Sequence, residues 1–117
     1  MGLDMYAYTA AKEQANYETE QREIAYWRKH PSLHGWMRRL WESRGNSGSF
    51  NGDELELTWE DLDKLEAVVK QRALPDTQGF FFGDGADDYY YQADLDFIKQ
   101  ARTELFSGLR VFYNSSW

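Results

Sequence analysis

Apolar and polar positions alternate at the start of the chain, with Leu3, Met5 and Ala7 on one side and Asp4, Tyr6 and Tyr8 on the other. This is the period of a half-buried strand, predicted over residues 2–9. After a polar stretch from Thr9 to Gln21, Glu20 to Lys29 reads as a helix with Ile24, Trp27 and Tyr26 turned inward. Pro31 stops it, because proline lacks the amide proton and biases His30 away from helical dihedrals. Leu33, Trp36, Met37, Leu40 and Trp41 recur at three and four residues and predict a second helix, with Ser32 placed to cap it. Arg44 to Gly52, rich in glycine, serine and asparagine around Phe50, is a loop.

Glu54 to Leu57 suits a short edge strand, and Thr58-Trp59-Glu60-Asp61 has the spacing of a capping box. The helix it opens carries Leu62, Leu65 and Val69 on one face and ends at Pro75 at the latest. Gln78 to Phe82 and Asp88 to Gln92 read as two short strands joined by Gly83-Asp84-Gly85, a hairpin. Asp94 is placed to cap a last helix bearing Leu95, Ile98, Ala101 and Leu105, and Gly108 to end it in a left-handed turn. Leu109, Val111 and Tyr113 then alternate with Arg110 and Phe112 as a final strand. Together these elements predict an α+β fold: a single domain over 1–117 in which a small, mainly antiparallel sheet, covered on one side, packs against about four helices.

Composition narrows the chemistry. Without cysteine there is no disulfide framework, thiolate metal site or cysteine nucleophile, which fits a reducing, cytoplasmic setting. The N-terminus lacks the basic and apolar regions of a secretion signal, and no apolar run is long enough to span a membrane. Aromatic residues make up 17% of the chain and the net charge is −7. That charge is unevenly spread: Gln21 to Arg44 is basic, while Asn51 to Asp96 is strongly acidic. Binding a nucleic acid backbone needs a basic surface, so nucleic acid is not an expected partner.

Three groups of residues are candidates for function. The segment Gly79 to Tyr91 sets three phenylalanines and the triplet Tyr89, Tyr90, Tyr91 on either side of an acidic turn holding Asp84, Asp87 and Asp88. In a strand, each triplet must present a ring to both faces, so some rings would be free for recognition. The acidic turn lacks the ligand order of a calcium loop. His30 and His34, four residues apart, have metal-ligand spacing, with Asp84, Asp87 or Asp88 as further ligands. Pro31 breaks the helix between them, which favours histidines that cap or pack, and no metal or other cofactor is expected. Tyr26, Trp27, Arg28 and Lys29 place rings beside cations, either as half of a nucleotide pocket or as a core tryptophan with cations at a helix C-terminus. Asp4 points either into a polar cleft beside Tyr6 or to backbone at the sheet edge. The terminal Ser115-Ser116-Trp117 suggests a ring that packs back on the domain or enters a partner.

The opening Met1-Gly2-Leu3-Asp4-Met5-Tyr6, the segment Ala25-Tyr26-Trp27-Arg28-Lys29-His30 followed by His34 and Trp36, the run from Leu74 to Gly83 with the Tyr triplet that follows it, and the closing Phe112-Tyr113-Asn114-Ser115-Ser116-Trp117 carry a resemblance. The chain resembles, from end to end, a family of small proteins from bacteriophages and their bacterial hosts. The polar stretch Thr9 to Gln21 departs from that likeness. A phosphoglycerate kinase label carried by some members finds no support here, because 117 residues are too few for a two-lobed kinase and no glycine loop with a lysine is present. The resemblance implies a phage-associated accessory protein in the host bacterial cytoplasm.

The leading expectation is a non-enzymatic binding protein that acts on a host protein through the aromatic, acidic segment, in one variant as an acidic imitation of DNA. The alternatives are a pocket that sequesters or converts a nucleotide-like small ligand, and a structural or virion accessory protein. The surplus rings also suit a homodimer.

Overall fold

The computed structural model describes residues 3–11, 22–74 and 85–116. Within them the chain forms four strands and three helices, β1 (Asp4–Ala11), β2 (Arg22–Arg28), α1 (Pro31–Ser43), β3 (Leu55–Leu57), α2 (Trp59–Lys70), α3 (Gly85–Phe106) and β4 (Leu109–Ser116). The strands make one sheet in the order β2-β1-β4-β3, and every pairing is antiparallel. The expected α+β architecture is present, with three helices among the described residues where about four were expected.

Alternation along the strands separates the two faces of the sheet. Met5, Ala7 and Thr9 on β1, Trp27 on β2, Leu55 and Leu57 on β3, and Val111, Tyr113 and Ser115 on β4 are buried. They meet Leu33, Met37 and Trp41 from α1, Leu62, Leu65 and Val69 from α2, and Phe97, Ile98 and Ala101 from α3. The partners of these strand residues in the chain, Tyr6, Tyr8, Tyr26, Glu56, Phe112 and Asn114, share the opposite face through the register Tyr6↔Tyr26, Tyr6↔Asn114, Tyr8↔Phe112 and Glu56↔Phe112. Helices therefore pack on one side of the sheet; no described helix covers the other, where Tyr6, Tyr8 and Tyr26 keep solvent contact and Phe112, flanked by Tyr8 and Arg110, is 9% exposed.

Several elements differ from expectation. Residues 22–28 form an edge strand, not the helix expected over 20–29. Trp27 and Tyr26 turn to opposite faces, the first 2% and the second 48% exposed, which a helix with both rings inward would not allow. The register slips between Ala7 and Tyr8, so that Ala25 and Glu23 take successive partners and Ile24 is the extra residue of a bulge, a device that blunts edge strands. α1 begins at Pro31 itself, with His30 as its N-cap and no side-chain cap bond, so Ser32 does not play that part. Residues 88–92 lie inside α3 rather than in a strand, which removes the second arm of the expected hairpin. Its first arm, Gln78 to Phe82, lies outside the described residues. Asp94, expected to cap the last helix, sits within α3 and is 1% exposed.

Other expectations are met. The Thr58 side chain accepts from the Asp61 amide at 3.2 Å while the Asp61 carboxylate accepts from the Thr58 amide at 2.9 Å, completing the capping box of α2. Gly108 takes the left-handed conformation (φ 94°) that turns α3 into β4.

Candidate functional site

The end of β2 and the start of α1 are joined to α3 by a buried polar seam. Asp94 accepts the Trp27 indole N–H on Oδ1 at 3.0 Å and lies 2.9 Å from His30 Nε2 through Oδ2. Trp27 also meets Phe97 edge to face at 5.0 Å between ring centres. Tyr90 stacks on His30 with centroids 4.3 Å apart, and its hydroxyl donates to the Arg28 carbonyl. Asp94, one turn of α3 beyond Tyr90, is 1% exposed, and His30, the N-cap of α1, is fully enclosed, with no hydrogen-bond partner for its Nδ1 among the described residues. The seam thus unites residues from the Tyr26–His34 segment and from the tyrosine triplet, two stretches that the sequence left 60 residues apart, as the 62-residue separation of Arg28 and Tyr90 records.

His34 belongs to a different cluster. Its Nδ1 is 2.8 Å from the Tyr113 hydroxyl, and its ring stacks on Phe50 at 5.3 Å. Burial, reinforced by the charge of Arg38, pushes the His34 pKa down to about 4. At neutral pH the imidazole is therefore uncharged, and it shares a hydrogen bond with the Tyr113 hydroxyl, whose own pKa is raised by burial. The two histidines do not converge on a shared ligand position. Among the described residues no three metal-ligating side chains cluster. Asp84 lies outside the described residues, and Asp87, Asp88 and Tyr89 are placed on α3 by backbone only.

The open face of the sheet gathers rings from three strands. Tyr6 and Tyr26 lie 5.3 Å apart, Tyr8 stacks on Phe112 at 5.6 Å, and Arg110 covers Phe112 at 5.0 Å. Cross-strand register, not sequence proximity, brings them together. A concavity of about 340 Å³ opens among Tyr6, Tyr8, Glu23 and Asn114. Carboxylates surround the rings: Asp4 accepts from the Tyr26 hydroxyl at 2.7 Å, and Glu54 accepts from the Tyr8 hydroxyl. Those bonds hold both phenols protonated, the Tyr26 pKa being raised chiefly by its bond to Asp4 and that of Tyr8 by burial and then by Glu54. Arg110 is occupied by Glu56 through a two-pronged contact at 2.9 and 3.0 Å, which holds the Glu56 carboxyl below its usual range.

No family model, curated protein or solved structure matches this chain.

Of the residues singled out from sequence, Tyr26 is the one on this open face with a half-exposed ring, and Arg28 faces the same side through its pairing with Asp4. Lys29 sits just past the strand with φ 58°, its amide donating to the Leu3 carbonyl at 2.8 Å. Tyr91 lies under Arg72, whose guanidinium is 4.2 Å from the ring centre. A pocket built from Tyr26 together with Trp27 and His30 would need side chains that the sheet places on opposite faces. Sequence reading passed over Tyr6, Tyr8 and Phe112 as a group; the alternation of both terminal strands was the available signal, since antiparallel pairing of the two would align their outward rings.

A larger groove, of about 620 Å³, runs between α2 and α3 beside Trp59 and Phe106. Several of its charges are paired, Arg102 contacting Asp63 at 2.6 Å and Glu66 at 3.0 Å, and Lys70 contacting Glu66 at 3.5 Å.

Proposed function

We propose that this chain is a non-enzymatic binding protein that engages a partner protein through the open face of its sheet, and that the partner is a host bacterial factor, as the likeness to phage and prophage proteins implies. The observation that carries the reading is the pair of ring contacts, Tyr6 with Tyr26 and Tyr8 with Phe112, on the side of the sheet that no described helix covers. Aromatic rings with hydroxyl tips combine apolar area and hydrogen bonding at little entropic cost, which is why they dominate recognition surfaces. Asp4, Glu23, Glu54 and Glu56 outnumber Arg28 and Arg110 on this face, and the whole chain carries −7, so the complementary partner surface is basic. Both histidines and Asp94 are engaged in internal bonds beneath the sheet, which favours a structural over a catalytic part for them.

Immobilised protein should retain a specific partner from bacterial lysate. The double variant Tyr6→Ser, Tyr26→Ser should lose that partner at least tenfold while its circular dichroism and Tm stay close to those of the parent. Undiminished capture by the folded double variant would remove the open face from the account.

A further inference from the structure

A second surface follows from the edge position of β2, separate from the open face. Strand β2 is the outermost of the sheet among the described residues. The Lys29 amide donates to the Leu3 carbonyl, so Leu3 and Lys29 are a hydrogen-bonded pair. Two-residue alternation along the register Asp4↔Arg28, Met5↔Trp27, Tyr6↔Tyr26 then turns the backbone of Trp27 toward β1 and that of Tyr26 and Arg28 toward the free edge. Tyr90 agrees with this assignment, since its hydroxyl reaches the Arg28 carbonyl from outside the sheet. The Tyr26 N–H and C=O therefore stand at an edge that no described strand pairs.

That edge is one wall of a groove of about 520 Å³ whose other wall is α3. Ala93, Asp96, Phe97 and Gln100, spaced three, four and seven residues along the helix, form the opposing face. Both ends of the groove are marked: Arg22 pairs with Glu104 at 2.5 Å at one, and Tyr90 meets Arg28 at the other. Strand β2 runs from Arg22 to Arg28, and a strand rises about 3.3 Å per residue, so the space between those closures spans about five residues of extended chain.

The geometry points to this groove as a site for an extended peptide segment of a partner protein, which adds as a fifth strand along β2 under α3. Two features select that occupant. The outward N–H and C=O of Tyr26 are complemented by another extended backbone, which presents an acceptor and a donor at the same spacing. The groove's exposed charges beyond the Arg22–Glu104 pair are Glu23 and Asp96, so a segment carrying lysine or arginine is complementary. The apolar floor of Ala25 and Phe97 takes an alternate side chain of the segment, a β-branched one by preference. Self-pairing of β2 about a two-fold centred on Ala25 would set Arg22 of one copy against Arg28 of the other, a like-charge pair that disfavours a second copy as occupant.

A displayed library of random dodecapeptides selected on the intact protein tests this. Enriched peptides should carry β-branched residues at alternate positions with a lysine or arginine, and a synthetic copy should bind with an affinity that falls as salt is raised. Methylating alternate backbone amides of that peptide should weaken it at least tenfold, and binding should protect the Tyr26 amide from hydrogen exchange. Asp96→Lys and Ala93→Arg, both at exposed helix positions, should each weaken it at least fivefold without loss of helicity. The Tyr6→Ser, Tyr26→Ser variant keeps the backbone edge and should still bind the peptide even where it loses the open-face partner, so the two surfaces succeed or fail independently. Failure to enrich any peptide, binding that survives amide methylation, protection that appears away from β2, or concentration-dependent dimerisation blocked by Asp96→Lys would each overturn the assignment.

Discussion

Burial of His34 beside Arg38 makes stability depend on acidity through a single proton. The folded protein holds His34 near 4 while an unfolded chain returns it to its ordinary 6.5, so the unfolded state binds the proton first as pH falls. The stabilisation is complete above about 6.5 and is lost progressively as pH falls toward about 4. Allowing for the ring's partial contact with solvent, the loss is about 2 kcal/mol. Urea unfolding at a series of pH values should show it, and His34→Phe should abolish that part of the acid dependence; parallel curves for parent and variant would contradict it. Asp94 presents a different case, since it holds two buried donors at once. Asp94→Ala should cost about 3 kcal/mol by leaving the Trp27 and His30 donors unpaired, and Asp94→Asn less, because the amide oxygen still accepts from Trp27. Denaturant midpoints for the two variants give the comparison directly.

At the scale of elements, the strands at the two ends and helices α1 and α2 are legible in the sequence because each has an unbroken period and local punctuation: alternation for β1 and β4, Pro31 at the first position of α1, and the Thr58–Asp61 box at the start of α2. Thr58→Ala should accordingly cost about 1 kcal/mol in the same urea assay, the worth of an N-cap. Strand β2 was misread because a run as short as Ile24 to Trp27 fits either period, and its bulge at Ile24 breaks the alternation that would have betrayed it. The start of α3 was misread for the opposite reason. Three adjacent tyrosines favour a strand locally, but Tyr90 on His30 and Tyr91 under Arg72 anchor the turn as helix, and partners so distant in sequence leave no local signal. The candidate site shares that fate: Tyr26 could be singled out from its neighbours, whereas its association with Tyr6, Tyr8 and Phe112 exists only once β1 has paired on both sides.

The whole molecule divides its labour between two sides of one sheet. Helices, both histidines and the Asp94 seam secure the covered side, while rings and carboxylates occupy the open one. No described helix is long and apolar enough to cross a membrane. With a net charge of −7, association with a basic partner should be steered by long-range attraction and should weaken severalfold between low and physiological salt. Site-directed photo-crosslinking separates the two sides of the molecule most directly. A benzophenone side chain at position 26, on the open face, and the same group at position 106, at the exposed end of α3, would be compared in bacterial lysate. The account predicts one dominant crosslinked protein from position 26, suppressed by excess unlabelled parent and absent from position 106. Crosslinking of that protein from position 106 alone would contradict it.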